Sequence, residues 1–215
     1  MKVMSAVGAA LLGTMIGASA AAAYDAPASA TGAAKIEKFE PELGRALPPI
    51  GFVNFCGRNP QDCQSASLFA GKVGMSPDRW NLIYQVNAYV NGKIAPVSDQ
   101  DLYGQPEYWA YPTDAGDCED YVLLKKRKLE DLGFPASALL ITVVLDEKNE
   151  GHAILTVATD QGDYVLDNRR EDILRWSDTE YTFLKRQSGA DPKTWIALAK
   201  DKMLTAKITS GKVRN

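Results

Sequence analysis

The sequence predicts an α+β domain in which a helix precedes an antiparallel sheet. Residues 122–132 carry leucines at helical spacing, and a glycine and a proline soon after them are typical helix stop signals. Residues 138–145 and 152–159 are runs of aliphatic and β-branched residues, and a third such run begins at Tyr164. Short turns rich in aspartate, asparagine and glycine separate these runs, so consecutive strands are expected to pair antiparallel.

Composition indicates a soluble globular protein with one main domain. The chain has 215 residues, of which 46% are hydrophobic and 24% are charged, and its formal net charge is −3. A mildly acidic chain has no electrostatic feature that would attract nucleic acid or an anionic membrane surface. Neither is therefore an expected partner.

Residues 1–23 are predicted to be a signal peptide. A lysine at position 2 precedes an apolar run of small residues, and the alanines that end at Ala23 offer a cleavage site. An uncut membrane anchor is the alternative, but the run is only weakly hydrophobic, which favours removal. The mature chain is then exported, with a bacterial periplasm as the expected compartment. It would comprise a flexible or extended segment, residues 24–50, and one domain, residues 51–215.

The elements before the central helix follow from local signals. Three prolines indicate extended, irregular structure over residues 36–55. Ser76 and Pro77 suit the N-cap and first position of a helix, and apolar spacing continues this helix to an Asn-Gly pair. Residues 93–116 lack periodicity and hold several aromatic side chains, which favour either a cleft wall or a lid over the core. Residues 192–200 are expected to form a short helix.

Two of the three cysteines are spaced for a disulfide. Cys56 and Cys63 enclose a segment with glycine, asparagine and proline, which suits a turn tight enough to bring the sulfurs together. The alternative is a metal pair, but no further cysteine or histidine lies nearby in the sequence to complete a zinc site. Pairing these two leaves Cys118 alone, and an odd thiol in an oxidising compartment points to a chemical role.

Cys118 is predicted to lie in the first turn of the central helix, between acidic residues. The unpaired N–H groups and the dipole of a helix start lower the pKa of a thiol from its free value of about 8.5. The flanking Asp117 and Glu119 act in the opposite direction. A reactive thiolate here therefore requires something that neutralises or redirects their charge.

The chain contains one histidine, His152, which opens the second predicted strand. A lone histidine is more often structural, but an unpaired cysteine in the same domain favours a nucleophile and its base. Asp167 ends the next strand, so a two-strand hairpin can bring it to His152 as the group that orients the imidazole. Together with Cys118, these residues are predicted to form a catalytic triad.

These motifs resemble the bacterial transglutaminase-like cysteine proteinases. The resemblance is carried by Gly116-Asp-Cys-Glu-Asp-Tyr121, by His152-Ala-Ile-Leu155 and by Val165-Leu-Asp-Asn168, and it extends from about residue 52 to residue 188. It implies a papain/transglutaminase-like fold, with the nucleophile on a helix N-terminus packed against an antiparallel β-sheet. It also implies the roles of nucleophile, general base and acid, and orienting residue for the cysteine, histidine and aspartate.

The resemblance also explains the acidic flank, because periplasmic members of the family bind calcium beside the active-site cysteine. Asp117 and Glu119 stand at the positions of the carboxylate ligands, and Asp120, backbone carbonyls or water would supply the remaining oxygens. A bound divalent cation would also remove the penalty that these carboxylates place on thiolate formation. The alternative is that both carboxylates only stabilise the helix N-terminus.

By this resemblance, the protein is an exported, calcium-dependent cysteine endopeptidase that cleaves a surface or periplasmic protein. The family's proteolytic members release a large surface adhesin of biofilms, and an inner-membrane cyclic-di-GMP receptor sequesters them. Two alternatives stay open: a transglutaminase-like acyltransferase or amidase with the same triad, and a non-catalytic periplasmic binding module. An intact Cys–His–Asp set argues against the binding module.

Overall fold

The computed structural model describes residues 38–64 and 71–199. The described residues contain four α-helices and nine strands, numbered in chain order. The helices are α1 (Ile50–Arg58), α2 (Pro77–Lys93), α3 (Asp99–Tyr103) and α4 (Cys118–Asp131). The strands are β1 (Arg45–Ala46), β2 (Ala95–Pro96), β3 (Ala115–Gly116), β4 (Leu139–Leu145), β5 (Gly151–Thr159), β6 (Gly162–Leu166), β7 (Leu174–Arg175), β8 (Thr182–Gln187) and β9 (Trp195–Ala197).

Seven strands form one antiparallel sheet in the order β1-β9-β8-β4-β5-β6-β7. The predicted meander of β4, β5 and β6 is therefore confirmed and forms the centre of this sheet. Its strands read as nearly continuous aliphatic runs because almost every one of their residues is buried. The two remaining strands, β2 and β3, form a separate parallel pair.

The predicted helix after the cysteine is confirmed as α4, which packs against β5 and α2. Tyr121, Val122 and Leu129 are buried along its inner face. The helix ends before Gly133, whose φ of +85° is a conformation that glycine adopts without steric cost. The start of α2 is also as predicted, since the Ser76 side chain accepts a hydrogen bond from the backbone N–H of Arg79.

The prediction of irregular structure through residue 55 was wrong, because α1 begins at Ile50. Its N-cap, Pro49, has extended backbone angles, and a proline is tolerated at a helix start, where no backbone N–H is needed. Burial then stabilises the short helix: the Phe52 ring packs edge-to-face against Trp109 and Trp195, with centroid distances of 5.8 and 5.4 Å. These partners are remote in the sequence, so local patterns did not indicate the helix.

Two further predictions are corrected by the structure. The segment 192–200 was expected to be helical, but its residues Trp195–Ala197 are strand β9, which pairs with β8 on one side and β1 on the other. The aromatic segment 93–116 contains the short helix α3 and the strands β2 and β3. Its Trp109 is fully buried, as in the interpretation of a lid over the core.

The predicted signal peptide, residues 1–23, lies outside the described residues, as does the following segment through residue 37. Among the residues that the structure describes, no helix is long and apolar enough to cross a membrane.

Cys56 and Cys63 are joined by a disulfide, which ties the last turns of α1 to the residues after it. We expect the Cys56→Ala/Cys63→Ala double variant to lose about 2–3 kcal/mol of unfolding free energy, because the bond restricts a short loop in the unfolded chain. Urea unfolding of both proteins measures this difference. As a control, reductant should destabilise the wild type by the same amount and should leave the stability of the variant unchanged. Equal stability of the wild type and the variant without reductant would contradict the prediction.

Candidate active site

The three candidate catalytic residues lie at the ends of elements that the fold brings together. Cys118 is the first residue of α4, His152 is near the start of β5, and Asp167 directly follows β6. The register of β5 and β6 pairs Leu155 with Leu166, so Asp167 comes opposite a position two residues from His152. Such a diagonal neighbour on the same sheet face is within reach of a long side chain.

The His152–Asp167 pair is a buried, directed hydrogen bond. The imidazole Nε2 lies 2.9 Å from the Asp167 Oδ1, and the two side chains are only 0% and 2% exposed. Two further groups donate to this carboxylate: the backbone N–H of Arg169 to Oδ1 at 3.0 Å and the Tyr181 hydroxyl to Oδ2 at 2.5 Å. The Tyr181 ring also packs edge-on against the imidazole.

These contacts decide the state of the pair. Burial alone would raise the pKa of Asp167, but the hydrogen bond and charge of His152, with the hydrogen bonds from the Arg169 backbone and the Tyr181 hydroxyl, hold it well below its usual range. An ionised carboxylate only accepts, so Nε2 of His152 carries a proton, and in the neutral imidazole the lone pair therefore lies on Nδ1. Nδ1 is buried and has no hydrogen-bond partner among the described residues. It is therefore the free basic atom of the pair.

The Cys118 thiol lies beside β5, at the residue that follows the histidine. Its Sγ donates to Glu119 Oε2 at 3.0 Å, and the backbone N–H of Ala153, the residue after His152, also faces the sulfur. Burial raises the pKa of the thiol well above its usual value, and the charges of Glu119 and Asp117 add to this rise. The helix N-terminus, which on its own would lower the pKa of this thiol, is therefore not the larger effect here. Burial is the larger cause and the two carboxylates the smaller one, and a cation among these carboxylates would act in the opposite direction.

Three carboxylates converge next to Cys118. Asp99, Asp117 and Glu119 each offer one oxygen, and these atoms lie within 4.8 Å of one another in a buried cluster. Each residue also has a buried oxygen without a hydrogen-bond partner among the described residues: Asp99 Oδ1, Asp117 Oδ1 and Glu119 Oε1. Burial raises all three pKa values, that of Asp117 to about 6, and the charges of neighbouring carboxylates add to the rise for Asp117 and Glu119.

This cluster fits a hard divalent cation better than a helix-capping role. Asp117 is the N-cap residue of α4, yet its side chain makes no capping hydrogen bond, so the alternative of simple N-terminal stabilisation lacks its main contact. Three anionic oxygens with unsatisfied lone pairs are the donor type that Ca²⁺ prefers. Asp117 and Glu119 were both predicted as ligands through the family resemblance.

Asp99 was missed by the sequence analysis, and Asp120 lies outside the cluster. Asp99 lies in the first turn of α3, whose N-cap is Ser98, and its backbone N–H donates to Asp117 Oδ2 at 3.2 Å. A Ser-x-x-Asp sequence at residues 98–101 was the only local signal for this helix start. The Oδ1 of the suggested ligand Asp120 accepts from the backbone N–H of Ala110 at 2.7 Å, and its Oδ2 is buried without a hydrogen-bond partner among the described residues.

Comparison with known families places the chain. The family model of the bacterial transglutaminase-like cysteine proteinases (BTLCP) matches residues 42–203. The chain belongs to this family. It is therefore a cysteine peptidase of the transglutaminase-like type, and the α+β fold of the proteinase family agrees with the helix and antiparallel sheet described above.

Solved structures of LapG from Legionella pneumophila also match part of this proteinase. The calcium-bound form is 21% identical with a TM-score of 0.49 and covers 62% of this chain and 77% of that chain. The EGTA-treated form is 23% identical with a TM-score of 0.48 and covers 59% and 74%. A third LapG structure is 25% identical with a TM-score of 0.48 and covers 59% and 73%. No curated protein matches the chain.

Proposed function

We propose that this cysteine peptidase is a calcium-dependent endopeptidase that acts through Cys118, His152 and Asp167. The observation that carries the proposal is the buried His152–Asp167 hydrogen bond of 2.9 Å, which leaves Nδ1 as a base without a hydrogen-bond partner among the described residues. The only free cysteine among those residues starts a helix beside the same strand. A nucleophile, a base and an orienting carboxylate are the parts that covalent hydrolysis requires.

The proposed reaction uses His152 twice. Nδ1 takes the proton of the Cys118 thiol as the sulfur attacks the carbonyl carbon of a peptide bond, and the imidazolium then protonates the leaving amine. The resulting thioester is hydrolysed by water, which gives a proton to Nδ1 as its oxygen attacks; the thiolate leaves and is reprotonated by the imidazolium. Asp167 keeps the imidazole oriented and stabilises its positive charge. The backbone N–H of Cys118, at a helix start, is suited to stabilise the oxyanion.

Calcium is proposed to be held by Asp99, Asp117 and Glu119. The support is the convergence of their oxygens within 4.8 Å together with the unsatisfied buried oxygen of each. When bound, the cation would supply positive charge next to Cys118 and so favour the thiolate. The protein residues then perform every proton transfer.

The proposed compartment is the periplasm, after removal of residues 1–23, and the proposed substrate is a large surface adhesin. Release of that adhesin would be controlled by an inner-membrane cyclic-di-GMP receptor that sequesters the enzyme. The family resemblance supports these assignments, whereas the chemistry of the site supports the class of reaction.

The proposal is tested with purified protein, its Cys118→Ala variant and N-terminal fragments of surface adhesins. Each reaction runs with calcium and with a calcium chelator, and intact mass spectrometry reads the products. Cleavage by the wild type alone, and only with calcium, is the expected result. Incorporation of an added amine would instead indicate acyl transfer, and cleavage that persists in the chelator would contradict the calcium requirement.

The contribution of Asp99 can be measured directly. Because it is one of three carboxylates in the cluster, we expect Asp99→Asn to weaken calcium binding by about tenfold or more, as fewer anionic ligands lower affinity. Isothermal titration calorimetry measures the affinity without reference to catalysis. Asp101→Asn on the same helix is the matched control, because Asp101 accepts from Ser98 and lies outside the cluster. An affinity unchanged by Asp99→Asn would remove this residue from the site.

A further inference from the structure

The loop that follows β6, residues 167–171, carries the triad aspartate and is fastened to α2 by two asparagine side chains. Asn91 Nδ2 donates to the carbonyl of Asp167 at 2.9 Å and to that of Arg170 at 3.1 Å. Asn87 Nδ2 donates to the carbonyls of Arg170 at 3.2 Å and Glu171 at 3.1 Å. These four hydrogen bonds are called the asparagine clamp below.

The two asparagines of the clamp are unfavourable residues for the buried side of a helix. Asn87 is fully buried, and asparagine is a poorer helix former than leucine or alanine. The Oδ1 atoms of Asn87 and Asn91 are both buried without a hydrogen-bond partner among the described residues. An unsatisfied buried amide oxygen destabilises a fold, so each asparagine carries a cost that its hydrogen bonds to the loop carbonyls must offset. The amides therefore point to a requirement at the carbonyl groups that they bind.

Asp167 has little other backbone support. Strand β6 ends at Leu166, so the aspartate lies just beyond the sheet ladder. Besides the hydrogen bonds to the Asp167 carboxylate and the contact of Arg170 with Tyr181, the loop is held by Arg169, whose guanidinium contacts Asp146 Oδ2 at 2.7 Å. That contact fixes a side chain, whereas Asn91 binds the backbone of the aspartate itself.

We propose that Asn91, assisted by Asn87, is a positioning residue for the catalytic triad. By fixing the Asp167 backbone, the clamp keeps the carboxylate on His152 Nε2 and so keeps Nδ1 free to act as the base. This inference rests on the proposed triad. Loss of the clamp lets Asp167 shift and lets the imidazole adopt its other tautomer, which lacks a basic Nδ1. A displacement of about 1 Å in a catalytic group can cost about 100-fold in rate.

The test uses the one histidine of the chain. Because His152 is the one histidine, a ¹⁵N-labelled sample gives a single set of imidazole signals in a long-range ¹H–¹⁵N correlation spectrum, and the shifts of the two ring nitrogens report the tautomer directly. We expect the wild type to hold the proton on Nε2. We expect Asn91→Leu to show a mixture of tautomers, a fall in kcat of about 10- to 100-fold and a KM within about twofold of the wild type.

Three further variants make the test specific. Asn87→Leu removes only the hydrogen bonds to the carbonyls of Arg170 and Glu171, and it is expected to give a smaller effect in the same direction. Asn91→Ser shortens the side chain and serves as the folded alternative if the leucine variant does not fold. Asn59→Ala is the matched control, because its Nδ2 donates to the carbonyl of Phe55 at 3.2 Å, far from Asp167 in the sequence. It should leave the tautomer and kcat unchanged.

The outcomes separate this inference from the triad on which it rests. A wild-type tautomer with the proton on Nε2 that stays unmixed in Asn91→Leu or Asn91→Ser, with kcat retained, would overturn the clamp and leave the triad standing. A wild-type proton on Nδ1, or a fully active His152→Gln variant, would overturn the triad itself. If Asn59→Ala lowered kcat as much as Asn91→Leu does, Asn87 and Asn91 would have only a general structural role.

Discussion

Replacement of Cys118 with alanine is expected to abolish peptide-bond hydrolysis, with a loss in kcat of about 10⁵-fold or more. The thiol is the only group at this helix start that can form the thioester, and His152 has no other nucleophile to activate in the proposed mechanism. A fluorogenic peptide that carries a site cut by the wild type in the adhesin fragments, assayed at saturating calcium, measures the loss. Intact mass shows in parallel whether the protein fragment is cut.

The two other cysteines make the control simple. Cys56 and Cys63 are bonded to each other, so iodoacetamide has one free thiol to modify among the described residues. The wild type should take up one label and lose activity in step with labelling, and Cys118→Ala should take up none. Activity that survives complete labelling, or a Cys118→Ala variant that still cuts the fragment, would rule out this thiol as the nucleophile.

Local sequence signals were sufficient for the elements whose partners are neighbours in the chain. The helix from Ser76 and the meander from β4 to β6 carry their own caps, turns and periodicity, so they could be recognised before the fold was known. Helix α1 and strand β9 could not. Phe52 and Trp195 pack against each other although most of the chain separates them in sequence. Only that remote contact explains why each segment takes its structure.

The candidate site divides in the same way. Cys118 was identified as the cysteine left unpaired and His152 as the one histidine of the chain, whereas Asp117 and Glu119 were identified as ligands through the family resemblance. Asp99, Tyr181 and Asn91 reach the site from separate elements, and nothing in their local sequence distinguishes them from surface residues. Their roles follow from the oxygen cluster, the hydroxyl on Asp167 and the clamp, which the tertiary fold alone assembles.

Lys125 is another residue whose environment the sequence did not indicate. It lies on α4 as part of a run of charged residues, which usually forms a solvated helix face, yet it is fully buried. Its Nζ has no hydrogen-bond partner among the described residues. Burial lowers the pKa of this amine to about 7, although the Asp167 carboxylate favours the charged form. The folded protein thus disfavours the protonated lysine.

We therefore expect Lys125→Met to stabilise the protein by several kcal/mol near neutral pH. A pKa lowered from 10.5 to about 7 means that the unfolded chain binds the proton of Lys125 more tightly than the folded protein does. The lysine therefore lowers the unfolding free energy by its full amount below about pH 7, and this loss disappears as the pH rises to about 10.5. At about 1.4 kcal/mol for each pKa unit, the advantage of methionine should be about 3 kcal/mol larger at pH 6 than at pH 9.5. Urea unfolding of both proteins at the two pH values measures this change.

The adjacent Lys126 supplies the contrast that isolates the cause. It is also buried, but its Nζ donates to the carbonyls of Ala136 and Leu139 and pairs with Glu130 at 3.2 Å. Lys126→Met leaves those carbonyls unsatisfied and is expected to destabilise the protein by about 1–3 kcal/mol. A gain of stability in Lys125→Met together with a loss in Lys126→Met would show that Lys125 is destabilising because its amine lacks a hydrogen-bond partner. A pH-independent gain would instead attribute it to packing, and a loss of stability in Lys125→Met would show that the buried amine has a partner that stabilises it.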